Sequence, residues 1–266
     1  MSRDPRCLTA EPPALRARGV VKRFGARSAL AGLDLEVRAG AAFALVGANG
    51  AGKTTLIKCL LDLSRPESGT IELFGTPSRA ADARSRIAYL PERFSPPHYL
   101  LGREFLALNE RLAGTHIDPG RRAGLCEELG LETAALERPV RQLSKGMTQK
   151  LGLMACLLLE RDLYVLDEPL SGLDPASRAA VKAVLARLAA QRRTLFFTSH
   201  VLADVEELCA ALAVIERGRI LFHGAPAELR ARYPGADLEL AFIRCTRRTR
   251  PPKRDERVQP GQADMT

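Results

Sequence analysis

At 266 residues, 46% of them hydrophobic, the chain can bury roughly 70–75% of its unfolded surface, so one large domain, or a core with a subdomain, needs neither disulfides nor a structural metal. Its formal charge of +9 does not mark a nucleic-acid binder, because seven basic and two acidic residues between Arg244 and Arg257 hold five of those charges and leave the rest of the chain at +4. The six cysteines are scattered without a C-x-x-C pair, and Cys59 and Cys156 sit in apolar runs, a pattern of free thiols that favours a reducing compartment.

The polar leader MSRDPRCLTAEPPAL lacks the apolar stretch of a signal peptide, and the folded domain is expected to start at residue 14, leaving 1–13 as leader. ALRARGVVKRF and LDLEV alternate as short strands, and AAFALVG reads as a buried strand. From Gly52 the pattern turns helical through KTTLIKCLLDL, GTIELFG is a strand closed by glycines, and RIAYLP is a strand stopped by Pro91. Residues from about 96 to 150 are helical in character with no strong strand, which predicts an inserted helical subdomain. LYVLDEP returns to the sheet. PASRAAVKAVLARLAAQ is a helix with Pro175 near its start, TLFFTSH a strand, VLADVEELCA a helix and LAVIERGRILFHG a hairpin. Apolar stretches such as LGLMACLLLE fall short of the ~18 residues that span a bilayer, so a soluble chain is expected. The domain is expected to end at 243. Residues 244–266 form a basic, Pro-containing tail that reads as a disordered, solvated end or, in a second reading, as a contact for anionic lipid. Strands alternating with helices indicate an α/β fold with a mostly parallel sheet.

Two motifs carry chemistry. GANGAGKTT, comprising Gly47, Ala48, Asn49, Gly50, Ala51, Gly52, Lys53, Thr54 and Thr55, follows the strand FALV and opens a helix, the context in which G-x-x-x-x-G-K-[ST] cradles phosphates. Its glycines let backbone N–H groups point inward, the helix N-terminus adds partial positive charge, Lys53 reaches the β- and γ-phosphates and Thr54 offers a hydroxyl to magnesium. Downstream, LYVLDE sets Asp167 and Glu168 at the carboxyl end of an apolar strand, where open α/β sheets bind ligands. Asp167 is the expected magnesium-sphere carboxylate, and Glu168 the candidate base that polarises an attacking water. Together they predict a nucleotide triphosphatase.

A third stretch, LSKGMTQK, precedes LYVLDE by about twenty residues. There the chain resembles the ATP-binding-cassette ATPases, whose signature is L-S-G-G-Q: Leu143, Ser144 and Gly146 match, while Lys145 and Met147 depart. Phe24 ahead of the phosphate loop, Asp174 in SGLD and His200 after FFTS also fall at family positions, and the likeness covers about residues 14–230. The resemblance implies a P-loop NTPase core with an antiparallel β subdomain and the inserted helical subdomain. It implies ATP and magnesium as cofactors, and a second cassette, an identical copy, facing this one head to tail. On that basis Ser144 Oγ and the Gly146 N–H would donate to the γ-phosphate held by the other copy. Lys145 either adds a cationic contact there or points to solvent. Phe24 would stack on adenine, Asp174 lie at the dimer seam and His200 contact the γ-phosphate.

The resemblance further implies a separate transmembrane permease subunit as partner and a place on the cytoplasmic face of the inner membrane. SHVLADVEEL and LFHGAPAEL look most like cassette subunits of bacterial exporters for drugs or polysaccharides. Glu92, in YLPERF, stands where the family usually has glutamine, so its expected contact with magnesium and the attacking water would be made by a carboxylate, itself a hard oxygen ligand. Phe94, Tyr99, Leu100, Leu101 and Phe105 could form a groove for a partner's helix or the core of the helical subdomain. The rival reading is a soluble cassette ATPase acting on a ribosome, on DNA or on a scaffold. Only 91 positions separate Lys53 from Ser144, too few for the long coiled-coil insertion such machines often carry.

Overall fold

The computed structural model describes residues 11–247; most of the leader and most of the basic tail, with its possible lipid contact, lie outside these described residues. In chain order the elements are β1 (Leu15–Phe24), β2 (Arg27–Val37), β3 (Ala42–Val46), α1 (Lys53–Leu60), β4 (Ser68–Leu73), β5 (Thr76–Pro77), α2 (Ala81–Ser85), β6 (Ile87–Leu90), α3 (Gly102–Ala113) and α4 (Pro119–Glu128). Two 3-10 turns (Thr133–Glu137 and Val140–Gln142) lead into α5 (Lys145–Leu157), β7 (Leu163–Asp167), α6 (Pro175–Ala190), β8 (Thr194–Ser199), α7 (Leu202–Leu208), β9 (Ala211–Glu216), β10 (Arg219–Gly224), α8 (Pro226–Arg232) and α9 (Leu238–Arg247).

Six strands form the central sheet in the order β10-β9-β3-β8-β7-β6; all neighbours are parallel except the β9–β10 hairpin at one edge. Four more, in the order β2-β1-β4-β5, make a separate antiparallel sheet. The expected fold class is the one observed: an α/β core on a mostly parallel sheet, with an antiparallel β portion and a helical insertion.

The apolar runs explain the layering. A parallel strand covered on both faces reads as continuous hydrophobic sequence, yet successive side chains still point to opposite sides. Phe43 and Leu45 of β3, Leu163 and Val165 of β7 and Phe196 of β8 join one core with α1 and the antiparallel sheet. Ala44 and Val46, Tyr164 and Leu166, and Leu195 and Phe197 from the same strands join a second core with α5, α6 and the helical insertion. Phe43 and Phe196 stack with ring centroids 6.1 Å apart.

Helix ends follow local chemistry. Asp118, Ser144 and Asp174 each accept a backbone N–H from the first turn of α4, α5 and α6, and Pro119 and Pro175 take the first helical position, where a missing N–H costs nothing. In the insertion, Phe94 and Phe105 meet edge to face at 5.5 Å and an ion pair between Glu110 and Arg122 ties α3 to α4. Phe105 is buried and Leu100 packs on the core, whereas Tyr99 is 74% exposed. The helical run expected to end near 150 continues to Leu157, because Leu151, Leu153, Met154 and Leu157 bury.

The span expected as tail from residue 244 is corrected at its start: α9 reaches Arg247, held by the stripe Leu238, Ala241 and Cys245, all at most 1% exposed. Charge density at Arg244 and Arg247 concealed that stripe. Among the described residues no helix is long and apolar enough to cross a membrane.

Phe196 is fully buried against Phe43. Phe196→Ala is expected to cost about 3–5 kcal/mol in urea unfolding; a loss below about 1 kcal/mol would show that the central sheet is not packed as described.

Candidate active site

β3, β8 and β7 lie side by side, so three loops leave the same end of the sheet. The register places Thr198 of β8 opposite Leu45 on one side and Asp167 on the other. This is the carboxyl end of the parallel strands, where the architecture leaves a crevice.

The loop after β3 is shaped by its neighbours. A side chain at Gly47 would run into the Ile215 carbonyl of β9, and one at Gly52, whose φ is 120°, would lie 2.6 Å from the Ala29 carbonyl. Both positions therefore demand glycine for space, and Gly52 also for its backbone angle. Ala51 is buried behind the loop, its carbonyl accepting the Gly218 N–H at 2.8 Å. Lys53 opens α1 with its side chain tucked beneath the loop, Nζ donating to the Gly47 carbonyl at 2.7 Å and the Ala48 carbonyl at 3.4 Å.

A continuous polar chain runs across the strand ends. Thr54 Oγ1 donates to Asp167 Oδ2 at 3.1 Å, and Thr198 Oγ1 donates to Asp167 Oδ1 at 2.6 Å while accepting the Glu168 N–H at 2.9 Å. Glu168 Oε2 meets His200 Nδ1 at 2.9 Å. Glu168 adopts φ 53°, a left-handed conformation that costs a non-glycine residue on the order of 1–3 kcal/mol and persists only where the surroundings fix it. Here the Thr198 hydroxyl holds its N–H and the Ser171 N–H holds its carbonyl at 3.1 Å. Glu168 is 9% exposed, while most of the His200 ring is open to solvent. Next to this chain Tyr89 has its hydroxyl pushed up to about 12, first by burial and then by the negative charge of Asp167.

These groups line a cleft of about 750 Å³, within the range of small-molecule sites. Phe24 stands on its wall with the Lys22 ammonium 5.2 Å from the ring centre, and the loop residues Gly47, Ala48, Asn49, Gly50, Gly52, Lys53, Thr54 and Thr55 form another wall. Glu92, Asp167, Glu168 and His200 complete it. Among the described residues no group of three or more His, Cys, Asp or Glu could hold a metal unaided. The Thr54 hydroxyl and the Asp167 carboxylate, 3.1 Å apart, supply two hard oxygens. That donor set fits a magnesium ion that takes its remaining ligands from water and substrate phosphate.

Besides Ala51 behind the loop, four of the candidate residues lie outside this cleft, at the starts of α5 and α6. Ser144 caps α5 by accepting the Met147 N–H at 3.2 Å, and Asp174 caps α6 through the Ser177 N–H at 3.0 Å and the Ser177 hydroxyl at 2.6 Å, bonds that hold its carboxyl below the usual range. The stem of Lys145 lies across Gly172, where an added side chain would come within 2.8 Å of its Cε, and Gly146 faces Gly172 and Leu173. Ser144, Lys145 and Asp174 are exposed. Lys145 thus runs alongside the turn between β7 and α6.

Sequence reasoning missed three contributors. Thr198 carries no motif of its own, although a buried hydroxyl at the end of the apolar run TLFFTS was a visible signal. Ser171, the first residue of the SGLD stretch, and Arg27, which no pattern marked, also line the cleft.

A family model described as ABC transporter matches residues 30–171. An uncharacterized ABC transporter ATP-binding protein of Synechocystis sp. is 38% identical over 78% of this chain, which spans 60% of that relative's length. The Nod factor export ATP-binding protein I of Burkholderia orbicola is 39% identical over 83% of this chain and 74% of its own. A solved structure described as the ATP binding subunit of an ABC transporter superposes with a TM-score of 0.80 at 29% identity, covering 88% of this chain and 99% of that one.

Thr198→Val keeps the shape but strips both Asp167 and the Glu168 N–H of a buried partner, so it should cost about 1–3 kcal/mol by chemical denaturation while Thr198→Ser stays near wild type. Equal stability of the Val and Ser variants would remove Thr198 from its bridging place.

Proposed function

The chain belongs to the ABC transporter family, and from that premise we propose that it binds and hydrolyses ATP to drive a membrane transporter whose spanning part is a separate polypeptide. The observation that carries this reading is the polar chain Thr54–Asp167–Thr198–Glu168–His200 beneath a glycine loop with a buried lysine.

On this reading the adenine stacks on Phe24 and the phosphates lie on the loop N–H groups at the start of α1. Lys53 Nζ exchanges the Gly47 and Ala48 carbonyls for β- and γ-phosphate oxygens. Magnesium, held by Thr54 and Asp167 with Glu92 beside them, would neutralise charge on the phosphates when bound. Glu168 orients a water and takes its proton as the water oxygen bonds to the γ-phosphorus and the bond to the β–γ bridging oxygen breaks, leaving ADP and phosphate. His200, held at 2.9 Å from Glu168, keeps that carboxylate aimed and contacts the γ-phosphate.

Ser144, Gly146 and Asp174 serve a second copy. None of them lines its own chain's cleft: Ser144 and Asp174 are exposed, and Gly146, in the first turn of α5, faces the Gly172–Leu173 turn that leads to Asp174. That placement supports a head-to-tail homodimer in which each nucleotide is closed over by the other protomer's α5 N-terminus. Export as the direction of transport is supported by the name of the Burkholderia relative. The place of work is the cytoplasmic face of the inner membrane, against the permease subunit, and Glu92 at the cleft edge links the two.

Three outcomes test this. Glu168→Gln is expected to bind ATP while losing about 10²–10⁴-fold in phosphate release, whereas Glu92→Gln keeps turnover; wild-type turnover in the Glu168 variant would overturn the base assignment. Lys53→Ala and Gly146→Asp, each inactive alone, should regain turnover when mixed, since one intact composite site forms per hetero-pair. Absence of any recovery would rule out the shared site.

A further inference from the structure

We propose that Arg27 is a nucleotide-positioning residue of this site, its guanidinium holding the phosphates nearest the ribose rather than the terminal one. The inference rests on the nucleotide reading above.

Arg27 and Phe24 face each other across the turn between β1 and β2 as paired residues, and both line the cleft. From there the arginine reaches over the tip of the phosphate loop, Nη2 donating to the Gly50 carbonyl at 3.2 Å. Gly50 makes room for it: with φ 77°, a side chain there would lie 2.7 Å from Arg27 Nη2. The loop is thus held from below by Lys53 and from outside by Arg27.

A guanidinium carries five N–H donors, and the Gly50 bond uses one. Among the described residues no carboxylate pairs with it, so its charge is free for a ligand. The acidic side chains of the cleft gather at the strand ends: Asp167 meets Thr54, and Glu168 meets His200. Positive charge is therefore offered on the Phe24 side and negative charge on the metal side. A nucleotide with its base on Phe24 and its terminal phosphate near Lys53 and His200 would pass its inner phosphates in front of Arg27. Charge-assisted pairing to phosphate is what a planar guanidinium does best.

The test is calorimetric binding of ATP and ADP, each with magnesium, to the full-length chain, its Arg27→Ala and Arg27→Lys variants and a Lys53→Ala control. Arg27→Ala is expected to weaken ATP and ADP equally, by about tenfold, and to flatten the dependence of Kd on ionic strength, while Arg27→Lys, which keeps the charge but not the planar fork, falls between the two. Unchanged affinity for both nucleotides overturns the inference, as does a loss confined to ATP, which would put Arg27 on the terminal phosphate. A wild-type chain that binds neither nucleotide would instead sink the nucleotide reading itself.

Discussion

The Thr198 hydroxyl is the point on which the site turns. It sits on β8, between the strand that delivers the phosphate loop and the strand that delivers the acidic pair. One oxygen donates to Asp167 and accepts from the Glu168 backbone. The first bond fixes the carboxylate that Thr54 also reaches, and the second holds Glu168 in a left-handed backbone conformation that turns its side chain toward His200. With β8 inserted between β3 and β7, Thr198 adds a second tie to Asp167 beside the one Thr54 makes from the loop side.

That insertion is possible because the central strands are apolar on both sides. Alternate residues of β3, β7 and β8 feed two separate cores, one against the antiparallel sheet and α1, the other against α5, α6 and the helical insertion. Burial on both faces leaves only the strand ends for polar chemistry, and that is where Asp167, Thr198 and the loop stand. The fold therefore supplies a rigid platform and confines function to one edge of it.

The second set of polar residues follows a different logic. Ser144 and Asp174 spend their side chains on capping α5 and α6, and Lys145 runs alongside the turn at Gly172. Capping keeps the helix ends in register, so the same bonds that stabilise each helix also present the N-terminus of α5 as an exposed, partly positive surface.

Most of the architecture was legible from the chain itself, because hydrophobic periodicity and glycine placement act over a few residues. The strands AFALV, LYVLD and TLFFTS, the loop GANGAGKTT and the helix opened by Asp174 and Pro175 were all legible in local sequence; Lys53 and Thr54 followed from the glycine-loop motif, Asp167 and Glu168 from the end of an apolar strand, and His200 from the family resemblance. The short α2 carries a single buried residue, Ala83, and α9 hides its apolar stripe among arginines, so neither left a clear periodic signal. Strand order, the bridging hydroxyl of Thr198 and the reach of Arg27 to Gly50 were decided only by the tertiary structure. Each joins residues 23 or more positions apart, and no spacing rule along a chain specifies which distant strand will lie alongside which.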